Sequence, residues 1–134
     1  MSHVERINPP ALARPSVFSH AVVATGTTVH LAGQTALDAE GRIVGATVVE
    51  QFARALGNLL VALDAAGGRP EHLPAMTVYI VDMDDYRAHA AEIGAVWKRL
   101  VGTDYPAMAG IGVSRLWDAA ALVEVQGAAV LPAP

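Results

Sequence analysis

Residues 121–130 read Ala-Leu-Val-Glu-Val-Gln-Gly-Ala-Ala-Val, an apolar run with one carboxylate, Glu124, near its middle. The spacing predicts a strand, and strand alternation places Leu122, Glu124 and Gln126 on one face. Taking a carboxylate out of water costs several kcal/mol unless something compensates it. Glu124 therefore either lines a polar interface or is kept for chemistry.

Working outward, Gly110–Leu116 predicts the preceding strand, joined to the last by Trp117-Asp118. Before it, Asp82, Asp84 and Asp85 suit a helix start, where acids complement the dipole. Tyr86, Ala90, Ile93, Trp97 and Leu100 form that helix's apolar stripe, Lys98 and Arg99 fall in its last turn, and Gly102 closes it. Met76–Val81 is a strongly apolar strand. An earlier helix starts at Thr47, where Thr47-Val48-Val49-Glu50 matches a capping box. Phe52, Leu56, Leu59 and Leu63 are its buried stripe, and Gly67-Gly68 ends it.

His20–Thr25 and Thr28–Gln34 read as two strands joined by a tight turn at Gly26-Thr27. Asp38–Arg42 is a second turn, with a short extra strand expected near Arg42–Val44. Residues 1–17 carry three prolines and no clean periodicity, which predicts an extended arm. The order is β-β-α-β-α-β-β in one domain over residues 1–134. That order predicts an α+β fold of two layers, with both helices on one face of a mixed sheet.

Composition limits what the chain can do. Apolar residues make up 53% of its 134 residues and charged ones only 16%, so part of the surface is expected to lie against another subunit. No stretch approaches the roughly 18 apolar residues of a membrane span, and the N-terminus lacks a signal-peptide pattern. With no cysteine there is no disulfide, thiolate metal site or thiol nucleophile, and a reducing cytoplasm is the expected home. Net charge is −4 and the basic residues are scattered, which argues against a nucleic-acid partner. The five histidines show no paired ligand spacing, so no metal is expected. Ser19 and Ser114 lack a nucleophile-elbow context, and Gly110-Ile111-Gly112 opens no helix and is no phosphate loop.

Several segments in order resemble the YjgF/RidA family. They are Phe18-Ser19, Val29-His-Leu-Ala-Gly-Gln34, Asp38-Ala-Glu-Gly41, Gln51 with Ala55–Leu59, Ala65-Ala-Gly67, Val81–Tyr86, Tyr105-Pro106-Ala107-Met108, and the strand holding Glu124. The resemblance implies a chorismate-mutase-like fold assembled as a homotrimer, with clefts between subunits and no cofactor. It also implies hydrolysis of a small imine or enamine, with Glu124 holding or activating the attacking water. Family positions around the substrate map onto Phe18, Ala32, Gly33, Gln34, Ala90 and Met108. Several of these depart from the family pattern. Met108 replaces an arginine that pairs with a substrate carboxylate, Phe18 a tyrosine, Ala32 a serine and Ala90 an asparagine.

Each change removes a polar group. A methionine does not offset the desolvation of a substrate carboxylate, so the expected substrate is neutral or cationic. The leading expectation is a deaminase-type hydrolase of altered range. The alternative is a trimer that binds a small metabolite without turnover. Ribonuclease activity ranks last, because the acidic charge and absent histidine pair oppose it.

Overall fold

A computed structural model of the chain describes residues 3–134. Its strands are β1 (Val4–Ile7), β2 (Ala21–Ala24), β3 (Thr27–Gln34), β4 (Ala75–Ile80), β5 (Ala107–Gly112) and β6 (Val123–Leu131). Its helices are α1 (Val48–Ala65), α2 (Met83–Ala88) and α3 (Ala90–Leu100), with a 3-10 turn at Pro70–His72. The main sheet runs β3-β6-β4-β5, parallel only between β4 and β5, so it is mixed as expected.

Alternation sorts this sheet into two faces. Leu31, Met76, Val78, Val123, Val125 and Ala129 are buried with the apolar stripe of α1 and with Ile93, Val96 and Trp97 of α3. The residues between them, among them His30, Thr77, Tyr79, Glu124 and Gln126, point to the other face, which no helix among the described residues covers. No helix among the described residues is long and apolar enough to cross a membrane.

The α1 start is capped by Thr47, while the reciprocal bond from Glu50 reaches Ala46 rather than the Thr47 N–H of a capping box. Thr47 Oγ1 accepts from the Glu50 N–H at 3.1 Å, while Glu50 Oε2 accepts from the Ala46 N–H at 3.2 Å. Thr47→Ala should cost about 1 kcal/mol, read as a Tm lowered by a few degrees. At the other end Gly67 takes φ of +87°, and the Gly68 N–H bonds to the Leu63 carbonyl at 3.0 Å.

Five expectations are corrected. The expected arm holds β1, which pairs antiparallel with β2; residues 1 and 2 of that arm lie outside the described residues. β2 and β3 do not form a ladder with each other, because the chain turns a corner at Gly26 (φ +147°), where a Cβ would overlap the Leu131 carbonyl oxygen. β2 continues instead along β1, with the Thr25 N–H bonding to the His3 carbonyl at 3.0 Å.

The expected second helix is two helices broken at His89. The His89 N–H and its Nδ1 both converge on the Asp85 carbonyl, at 3.2 and 2.9 Å, which ends α2. That carbonyl, and then the Asp85 carboxylate, raise the His89 pKa above its usual value.

The strand expected at 110–116 lies at 107–112. Beyond it Arg115 Nε donates to the Leu116 carbonyl at 3.1 Å and Nη2 to the Trp117 carbonyl at 3.3 Å, folding 114–120 into a loop. The extra strand near 42–44 is reduced to one bridge, Leu37 with Ile43.

Candidate functional site

Glu124 sits on β6 opposite Tyr79 of β4 and is half-buried. Its position along the chain is set from α1. Gln51, buried on the apolar stripe, donates from Nε2 to the Ala120 carbonyl at 3.1 Å and to the Gly45 carbonyl at 3.2 Å. Its Oε1 accepts from the Leu122 N–H at 2.8 Å, two residues before Glu124. A glutamine among leucines on a helical stripe was the signal for this role.

On the other side of Glu124, β3 carries a bulge. Leu31 faces Gly127 and Gln34 faces Val125, so Ala32 and Gly33 together stand against Gln126. The Glu124 carboxylate lies over the bared Cα of Gly33, where any side chain would overlap Oε2. Among the described residues the carboxylate has no hydrogen-bond or ion-pair partner. Ala32, exposed, opens beside this group.

Gln34 is not part of it. The bulge turns Gln34 to the helix side, into a groove with Asp38, Arg54 and Asn58. There Asn58 Nδ2 donates to the Thr35 and Leu37 carbonyls at 3.2 and 2.9 Å, and Arg54 Nε to the Leu37 carbonyl at 3.1 Å. These bonds hold the 34–38 turn against α1.

Phe18, Ala90 and Met108 gather elsewhere, around two adjoining hollows on the helix side of the sheet. Met108 pairs with the buried Met76 and so faces α1 and α3. Ser19 bridges to Ala107 alongside β5, its Oγ donating to the Tyr105 carbonyl at 2.7 Å, which brings Val17 and Phe18 to the rim. The outer hollow, about 200 Å³, is lined by Phe18, Val78, Ala109 and Gly110. The inner one, about 120 Å³, is lined by Phe52, Ala90, Ile93, Gly94 and Trp97. Val17, Tyr86 and Met108 belong to both.

Burial pushes the Tyr86 pKa up to about 12, so its phenol is neutral. Trp97 Nε1 is buried with no acceptor among the described residues, and the ring stacks on Tyr105 at 6.3 Å. Phe52, Tyr86, Gly94 and Trp97 were legible only as core or helix residues, because their common wall forms by tertiary packing.

Apart from Gln34, the predicted residues thus fall into two sets. Glu124, Gly33 and Ala32 open on the uncovered face, and Phe18, Ala90 and Met108 on the helix face. Among the described residues no group of three or more His, Cys, Asp or Glu is placed to hold a metal ion.

This mixed sheet with helices on one face has known counterparts. The profile of the family described as Endoribonuclease L-PSP matches residues 9–131. A 2-iminobutanoate/2-iminopropanoate deaminase of Capra hircus is 32% identical over 132 residues, covering 96% of this chain and 92% of the relative. A RutC family protein of Pyrococcus abyssi is 32% identical over 95 residues, 70% of this chain and 72% of the relative. Among solved structures, the protein of unknown function YyfB of Yersinia pestis, of the conserved Rid family, superposes with a TM-score of 0.86 at 33% identity, over 96% of this chain and 99% of that one. The chain belongs to the YjgF/RidA family, the one whose profile is described as Endoribonuclease L-PSP.

Proposed function

We propose that the protein is a deaminase-type hydrolase of small neutral imines or enamines, working without a cofactor in clefts between the subunits of a cytoplasmic homotrimer. The observation that carries this reading is the Glu124 carboxylate, held over Gly33 by the β3 bulge with no partner among the described residues. An unpartnered, half-buried carboxylate is free to take a proton from water. One chain turns Glu124 and Met108 to opposite faces of its sheet, so a site that uses both takes each from a different copy.

In the reaction, water attacks the imine carbon while Glu124 accepts one of its protons. The new C–O bond forms as the C=N electron pair moves to nitrogen, which takes that proton back from Glu124, giving a carbinolamine and restoring the carboxylate. Glu124 then passes the hydroxyl proton to the amine nitrogen as the C–N bond breaks, and ammonia and a carbonyl compound depart. The apolar wall at Phe18, Ala90 and Met108 supplies no cation for a substrate carboxylate, which supports neutral substrates. The name of the goat relative supports the reaction type.

The test is carbonyl release above the spontaneous rate from imines generated in situ, neutral ones beside imino acids of the same skeleton. Met108→Arg should raise the rate on imino acids at least about tenfold relative to neutral imines, a charge-assisted pair being worth roughly 1.5–3 kcal/mol. An unchanged preference would remove Met108 as the selector. The missing polar groups at Phe18, Ala90 and Met108 favour a second reading, metabolite binding without turnover. Saturable binding of a neutral imine analogue with no hydrolysis would support it.

A further inference from the structure

We propose that the inner recess between α1, α3 and β5 binds the apolar arm of a neutral small molecule, with Gly94 setting the size of the arm. This deepens the reading above by naming the part of the substrate that the helix side of the cleft would take. Four observations support it.

The space has a molecular size. An apolar cavity of roughly 150 Å³ takes up benzene, so about 120 Å³ suits an apolar group of slightly smaller or similar bulk.

The walls carry no charge. Phe52, Ile93, Trp97 and Met108 are uncharged, and the Tyr86 phenol, its pKa raised by burial to about 12, is neutral too. A carboxylate or ammonium entering here would lose its water and meet no opposite charge.

The helix leaves room on purpose of shape. Gly94 lies inside α3, where glycine costs up to about 1 kcal/mol against alanine, and a Cβ there would meet no atom within 4 Å. Ala90, one turn earlier, lines the same recess with only a methyl group.

The recess also has an entrance. It shares Val17, Tyr86 and Met108 with the outer hollow beside Phe18, and Val17 is half exposed at the mouth. Methionine, with three rotatable bonds, yields more readily than a branched side chain when a ligand passes.

The experiment uses the full chain carrying Trp117→Phe, which leaves Trp97 as the sole tryptophan. Its indole N–H resonance is followed during titration with toluene and, separately, with benzoate. Toluene should shift the resonance saturably and benzoate should not at equal concentration. Gly94→Leu should weaken toluene binding at least tenfold without lowering Tm, and Gly94→Ala should lie between. No toluene-dependent shift, equal binding by folded Gly94→Leu, or equal binding of benzoate would each overturn the proposal. If Gly94→Leu does not fold, undiminished binding by Gly94→Ala overturns it and weakened binding supports it. Imine turnover is scored separately. Toluene binding that depends on Gly94, in a protein with no turnover, leaves the recess standing and removes the deaminase reading. Turnover that depends on Glu124, with no toluene binding, does the reverse.

Discussion

Glu124→Gln should lower turnover of a neutral imine by about 10²–10⁴-fold, the range general acid–base catalysis contributes, with little change in KM. The amide keeps the size and shape of the side chain and removes the proton acceptor. Because the carboxylate has no partner among the described residues, its loss breaks no bond, and Tm should stay within a few degrees of wild type. A glutamate serving as a structural anchor would give the opposite pattern, a lower Tm with turnover retained. Initial rates of carbonyl release, set beside a thermal melt, separate the two. Equal turnover by the Gln variant would place water activation elsewhere.

Phe52→Ala should be the most damaging of the single substitutions considered. Phe52 is 2% exposed on α1 and meets the Tyr86 ring edge-on with centroids 6.3 Å apart. Removing it costs about 3–5 kcal/mol, a large share of the roughly 5–15 kcal/mol that holds a domain together. A fall in Tm of about 10–20 °C follows for a chain of this size. The same change enlarges the inner recess, which Phe52 lines, so saturating toluene should restore part of the lost stability. Chemical denaturation with and without toluene measures both effects. A loss below about 1 kcal/mol would mean that the packing around α1 is looser than described.

Much of the fold was legible because its signals are local. The Thr47 cap, the stripe from Phe52 to Leu63 and the alternation around Glu124 each depend on spacing within one element. What stayed hidden depends on contacts between elements. The pairing of β1 with β2 follows from the corner at Gly26 beside the Leu131 carbonyl, and the break at His89 from a side chain folding back onto Asp85.

The site shows the same division. Glu124 stood out as a carboxylate within an apolar run. Gln34 looked like its neighbour, yet the one-residue bulge at Ala32-Gly33 turns it to the other face, and a bulge leaves no mark in spacing. Met108 was read as a lost arginine. Its surroundings, Trp97 and Gly94 of α3 and Phe52 of α1, come together only by packing.

The central claim is that one cleft takes Glu124 from one copy and the Met108 wall from another. Co-expressing Glu124→Gln with Met108→Asp and measuring neutral-imine hydrolysis tests it most directly, each variant alone being inactive. Random mixing leaves about a quarter of the clefts with both halves intact if subunits assemble in a closed ring. The mixture should then recover about a quarter of wild-type activity. A mixture as inactive as either parent would contradict the account.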